Sequence, residues 1–181
     1  MYSESADIGY RQDHGTDTYI QYILDKYSET IIRLSYTYVK NTYDAEDIAQ
    51  DVLLSLIKRS KPFESEEYER AWILRTTINK SKNHVASSRI KRTVSIEDTH
   101  DMPSDDTDLA AAEESEVMEA VLSLPEKYRT PIHLFYYGGY SINEIAEIIR
   151  KKPATVGTLL ARGRTLLKKM MIGGFDDEQV N

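Results

Sequence analysis

An all-α fold is predicted: two small helical domains joined by a flexible acidic linker, the C-terminal one carrying a helix-turn-helix. Three observations predict it. Apolar residues recur at three- and four-residue spacing along most of the chain, and no alternation is long enough to build a sheet. Charge is segregated: the net is −7, yet the stretch between Arg92 and Lys127 holds 11 acidic residues and no Lys or Arg, so the rest carries +4. That stretch is rich in Asp, Ser and Thr and contains Pro103, the composition of a connector rather than a core.

Length and composition narrow the class. The 181 residues suffice for one ordinary domain or two small ones. Zero cysteines exclude disulfide scaffolds, thiolate nucleophiles and Cys-based metal sites. The polar, acidic start from Met1 to Asp7 does not have the form of a signal peptide. No apolar run approaches the ~20 residues of a membrane helix, so a soluble cytoplasmic chain without membrane insertion is expected.

Residues 1–17 lack periodicity and are expected as a mobile leader. The N-terminal helical domain is expected over 18–92. Its first helix places Ile20, Ile23, Leu24, Tyr27, Ile31, Leu34 and Tyr38 on one face. A second helix follows Asn41-Thr42-Tyr43, with Asp44 expected as N-cap and Ala45, Ile48, Ala49, Val52, Leu53, Leu56 and Ile57 as its apolar face. Pro62 ends it. A third helix is expected from about Glu66 to Ala86, and the run from Arg75 to Arg92 carries six basic and no acidic residues. Residues 93–115 are expected as the linker, with an r.m.s. span of roughly 25–30 Å if flexible.

The C-terminal domain is expected over 116–172, with a tail from 173 to 181. Leu122, Leu124, Ile132, Leu134 and Phe135 supply its first apolar positions, and Gly138-Gly139 breaks the helix. Ser141 and Glu144 form a capping box for a short helix whose expected apolar face is Ile142, Ile145, Ala146 and Ile149. Arg150-Lys151-Lys152 makes a basic turn, and Pro153 suits the first turn of a longer helix buried along Val156, Leu160 and Leu167. A short helix, a tight turn and a longer basic helix are the helix-turn-helix pattern. Lys127 to Ile172 carries nine basic and two acidic residues, so both helical domains end in polyanion-binding charge.

Two stretches together resemble a known family. Asp44-Ala45-Glu46-Asp47-Ile48-Ala49-Gln50-Asp51-Val52 resembles the D-A-E-D-x-x-Q-[DE]-[VF] segment of bacterial sigma factors. Leu124-Pro125-Glu126-Lys127-Tyr128-Arg129, with Tyr140 to Ala146 and Thr155-Val156, resembles their C-terminal promoter-binding domain. The length, with no folded middle domain, is similar to the extracytoplasmic-function (ECF) group of the sigma-70 family. The resemblance implies core RNA polymerase and promoter DNA as partners, with an anti-sigma factor common in the family, and neither cofactor nor metal.

The resemblance also assigns residues. Asp47, Gln50 and Asp51 would dock on the clamp helices of the polymerase largest subunit; at i, i+3 and i+4 they project from one side of their helix. Tyr68, Trp72, Arg75, Asn79, Lys80 and Lys82 would capture the melted −10 element, aromatics stacking on unpaired bases while cations follow the backbone. Asn83 stands where the family usually has Asp, and Ala86-Ser87-Ser88 interrupts a commonly Arg-rich run. Lys151, Lys152, Ala154, Thr155, Gly157, Thr158 and Arg162 would face the −35 duplex. Gly157 and Gly163 each cost a helix roughly 1 kcal/mol relative to Ala, which suits a DNA binder dependent on polymerase.

Competing readings explain less. A stand-alone helix-turn-helix regulator would employ residues 115–172 but leave the acidic helix and the Trp/Asn/Lys helix idle, and no heptad run provides the usual dimerisation helix. A helical hydrolase finds no support in His14, His84, His100 and His133, which are scattered outside metal-ligand spacing, and no phosphate-cradling Gly-rich loop is present. No enzyme activity is expected.

Overall fold

The computed structural model describes residues 15–59, 61–94 and 109–176, and every regular element among them is an α-helix. Much of the expected leader, linker and tail (1–14, 95–108 and 177–181) lies outside the described residues. The chain divides into two compact units, Met1–Thr93 and Val94–Asn181.

The first unit is built from α1 (Gly15–Val39), α2 (Thr42–Ile57) and α3 (Glu66–Val94). Tyr19, Ile23, Tyr27 and Ile31 of α1 meet Ile48, Ala49, Val52 and Leu56 of α2, with Phe63 and Ile73 closing the core. The α1 face is centred one residue earlier than its spacing suggested: Tyr19 is buried, while Ile20 and Leu24 are half-buried. The cause is tertiary. Glu69 of α3 is buried and accepts hydrogen bonds from the hydroxyls of Tyr19 (2.9 Å) and Tyr27 (3.3 Å). Lys26 adds a partly exposed pair with Glu66.

Asn41, not Asp44, caps α2. Its side chain accepts from the Asp44 N–H at 3.0 Å, and Asp44 falls in the first turn, where its charge favours the helix dipole. Ile57 was expected on the buried face but is 41% exposed, at the last residue of α2, where no described element packs over it. Helix α3 runs past the expected end near Ala86 to Val94. Its apolar content is low, yet it packs by burying Thr77 and Ser81, whose hydroxyls donate to the carbonyls of Ile73 (2.9 Å) and Thr77 (2.8 Å).

The second unit contains α4 (Leu109–Ser123), α5 (Glu126–Tyr136), α6 (Ile142–Ile148) and α7 (Pro153–Asp176). Helix α4 begins inside the span expected as linker, where Ala110-Ala111-Ala112 supplies the highest helix propensity, and α7 extends past 172. Val121, Leu124, Ile132, Leu134, Ile145, Ile148, Val156 and Leu160 are buried. On α6 the buried positions are Ile145, Ala146 and Ile148, whereas Ile142 is 37% exposed and Ile149 half-buried. The expected face was thus rotated, because α6 has only seven residues and its end turns into the next element. At the α5–α6 corner Gly139 adopts a left-handed φ of +69°, and a Cβ on Gly138 would fall 2.6 Å from the Tyr140 ring.

Candidate nucleic-acid and polymerase interfaces

Three surfaces carry the residues singled out from the sequence, and none of those residues is buried. On α2, Asp47, Gln50 and Asp51 are exposed opposite the buried Ala45, Ile48, Ala49, Val52 and Leu56. Leu54 (49% exposed) and Ile57 join them, so the strip mixes charge with apolar area. Leu54 was not singled out, although its position three and four residues after Asp51 and Gln50 was signal enough. Asp51 lies at the margin of the strip, toward α3, where its Oδ2 is 3.8 Å from Nζ of Lys80. Asp44, seven residues earlier, pairs with Nε2 of His84 at 3.3 Å.

On α3, Tyr68, Trp72, Arg75, Asn79 and Lys82 repeat at alternating four- and three-residue steps, a single stripe along the helix. Tyr68, Asn79 and Lys82 are exposed; Trp72 and Arg75 are half-buried. Trp72 is half-buried against the core, its ring 5.6 Å from that of Phe63, and the Tyr68 ring lies 6.1 Å from Phe63. The Arg59 guanidinium lies 4.4 Å from the Phe63 ring centre and 5.5 Å from that of Trp72, a cation–π contact. This cluster ties the α2–α3 connection to the stripe. Lys80 does not belong to the stripe. It projects about 120° around the helix, on the side of His84 that faces α2.

In the second unit the helix-turn-helix is built by local chemistry. Ser141 accepts from the Glu144 N–H (3.3 Å), and Glu144 accepts from the Ser141 N–H (2.8 Å), a reciprocal cap. Helix α6 ends in a Schellman turn: Lys151 N–H donates to Ala146 (2.9 Å) and Arg150 N–H to Glu147 (3.3 Å). Arg150 sits at φ +53°, a left-handed position usually held by Gly. The turn delivers Pro153 as the first residue of α7. Lys151, Lys152, Ala154, Thr155, Thr158 and Arg162 are all exposed, Gly157 is half-buried, and Val156, Leu160 and Gly163 face the core. Thr155 sits inside the first turn, its N–H bonded to the Lys152 carbonyl at 2.9 Å. The Thr158 hydroxyl donates to Ala154 (3.0 Å), leaving its methyl and a lone pair outward.

Among the described residues, no group of three or more His, Asp or Glu is placed to hold a metal, and no helix is long and apolar enough to cross a membrane.

Comparison with known proteins bears on what the surfaces bind. Residues 23–90 match the model of sigma-70 region 2, and residues 114–167 match that of sigma-70 region 4. The ECF RNA polymerase sigma factor SigW of Bacillus subtilis (strain 168) is 27% identical over 162 residues, 82% of this chain and 87% of that protein. The RNA polymerase sigma-H factor of Pseudomonas aeruginosa is 26% identical over 160 residues, 81% of this chain and 82% of that protein. Two solved structures share the fold. The sigma factor RpoE in complex with the anti-sigma factor NepR from Bartonella quintana aligns with TM-score 0.69 at 19% identity, over 86% of this chain and 98% of that one. CnrH in complex with the cytosolic domain of CnrY aligns with TM-score 0.70 at 17% identity, over 94% and 99%.

Proposed function

Because the chain belongs to the ECF/sigma-70 family of bacterial RNA polymerase sigma factors, we propose that its three exposed surfaces divide the labour of initiation. The chain is a non-catalytic initiation factor that binds core RNA polymerase and directs promoter recognition through its two sigma-70 regions. In the proposed division, the α2 strip of Asp47, Gln50 and Asp51 docks on core polymerase, with Leu54 and Ile57 adding apolar contact. The α3 stripe of Tyr68, Trp72, Arg75, Asn79 and Lys82, with Lys80 beside it, melts and holds the −10 element. Helix α7 and the turn before it read the −35 duplex through Lys151, Lys152, Ala154, Thr155, Gly157, Thr158 and Arg162. Residues 18–92 and 116–172 are the two working modules, with an acidic linker between.

The observation that carries this division is that none of these residues is buried, while the positions between them build the two cores. Residue chemistry fits each role. Carboxylates suit a basic partner helix, aromatics with amide and cation suit an unpaired strand, and the exposed start of a helix-turn-helix second helix suits base edges. A stand-alone regulator is set aside because its reading leaves residues 23–90, matched to region 2, without a task. A polymerase partner supports a cytoplasmic location. The relatives in fold solved with NepR and with CnrY support a regulatory partner of the anti-sigma class here as well.

The test is reconstitution: the chain with core polymerase and genomic DNA, followed by mapping of transcript starts. Discrete starts preceded by a shared two-part element are expected. In a pull-down, charge reversal by Asp47→Lys or Asp51→Lys should weaken the core complex at least several-fold with helix content unchanged; full retention by both would refute the docking strip.

A further inference from the structure

We propose that Asp51 and Lys80 form an internal latch, which holds a DNA-binding cation against the polymerase-docking helix until core polymerase engages that helix. The latch rests on the reading above, in which α2 docks on polymerase and α3 on the melted strand.

Two features make the pair a latch rather than an ornament of the surface. Asp51 is shared by position. Its side chain is 65% exposed, open to a basic partner, yet Oδ2 lies 3.8 Å from the Lys80 ammonium. Within the proposed strand-binding set Lys80 reaches toward α2, its side chain 30% exposed, while Lys82 lies on the exposed stripe. The Asp44–His84 contact, one turn farther along α3, is a second meeting point of the two helices and sets the same flank of α3 against α2 as Lys80.

The pair is also weak enough to exchange. At 3.8 Å the contact is an ion pair beyond hydrogen-bond distance, and exposed pairs of this kind shift an equilibrium by no more than about fivefold. A cation from a partner helix that takes Asp51 therefore releases Lys80. The flexible four-carbon stem of Lys80 then carries the ammonium round to a phosphate beside Asn79 and Lys82. By linkage the effect is reciprocal: a strand that takes Lys80 frees Asp51 for polymerase by the same factor. Free protein thereby binds single strands up to about fivefold more weakly, and polymerase docking restores that affinity.

The experiment uses the full chain and a short fluorescent oligothymidylate, which reports backbone contacts without sequence, at low ionic strength. Asp51→Asn is expected to raise affinity two- to fivefold and to steepen the log K against log[salt] slope by about 0.7, one added phosphate contact on a single strand. Glu46→Gln, an exposed carboxylate on α2 outside the docking strip, controls for lost negative charge and should leave the slope unchanged. In a Lys80→Met background, Asp51→Asn should have no effect on the slope. With wild-type and Asp51→Asn chains both saturated by core polymerase, the difference in slope should vanish. The latch is overturned if the gain persists without Lys80, if Glu46→Gln matches it, or if Asp51→Asn binds no oligothymidylate at the lowest salt. Unchanged core affinity of Asp51→Asn, measured separately, would overturn instead the docking of Asp51 on polymerase.

Discussion

Gly157 and Gly163 lie six residues apart on α7, and helix propensity treats them alike: Ala at either should stabilise by about 1 kcal/mol. Their surroundings separate them. A Cβ on Gly157 meets nothing within 4 Å. On Gly163 it would fall 2.9 Å from Cγ1 and 3.2 Å from Cδ1 of Ile132, and 3.4 Å from Cβ of Tyr128. Ile132 is 1% exposed, and a Cβ is fixed to its own backbone, so α5 and α7 would have to separate or Ile132 leave its rotamer. Overpacking of this kind costs about 1–3 kcal/mol. The propensity gain offsets part of it, so Gly163→Ala should be destabilising by about 0–2 kcal/mol and Gly157→Ala stabilising by about 1 kcal/mol. Thermal unfolding of the full chain, followed by circular dichroism, reads the difference. At this domain size 1 kcal/mol moves the midpoint by about 4–8 °C, so the two variants should shift the C-terminal unit's transition apart by at least that much. Equal stabilisation by both substitutions would refute the close crossing of α5 and α7.

Arg150→Gly should stabilise the second unit by about 0.5–1 kcal/mol, by relieving the left-handed backbone at φ +53°; a lower unfolding midpoint would contradict this. Burial, then the neighbouring Glu69 charge, pushes the Tyr27 phenol up from its ordinary 10.0. Burial pulls Lys26 down, but its hydrogen bonds to Glu66 and Tyr22 outweigh it and raise it above 10.5. Both groups hold their protons more tightly when folded, so their contribution is fully present below the unfolded values and is lost as pH rises beyond them. Urea denaturation should show stability falling from about pH 10 upward, by up to about 1.4 kcal/mol per pH unit for the Tyr27 phenol and by less for Lys26, whose pair with Glu66 is screened by solvent, with a shallower fall in Tyr27→Phe. Duplex binding by the full chain should weaken with salt at a slope near −3.6 if about four phosphates are neutralised, and Lys152→Gln should flatten it by about one unit. In transcription from −35 variants, Thr155→Ala and Thr158→Ala should change the order of preference; uniform loss by both would refute the reading face.

Much of what depends on residues within a turn of one another was legible in the sequence, although the cap of α2 fell on Asn41, three residues before the expected Asp44. Periodicity specifies an angle around a helix, so the helical composition of both units and the buried faces of α1 and α7 in outline followed from spacing, whereas the grouping of Tyr68, Trp72, Arg75, Asn79 and Lys82 with Lys80 rested on the family resemblance. The Ser141–Glu144 box was equally visible, because its two partners are three residues apart. Tertiary structure decided what spacing leaves open, namely which flank of a helix meets a neighbour. It centred α1 on Tyr19 through Glu69, fifty residues away. It left Ile57 uncovered at the end of α2 and turned Lys80 from the stripe toward Asp51. It also set Gly163, costly by propensity, against Ile132 and Tyr128 of α5, with no room for a Cβ. The physical reason is the same each time: a helix carries its own hydrogen bonds and angular pattern wherever it forms, but burial and ion pairing between helices exist only once a second helix, distant in sequence, has taken its place beside it.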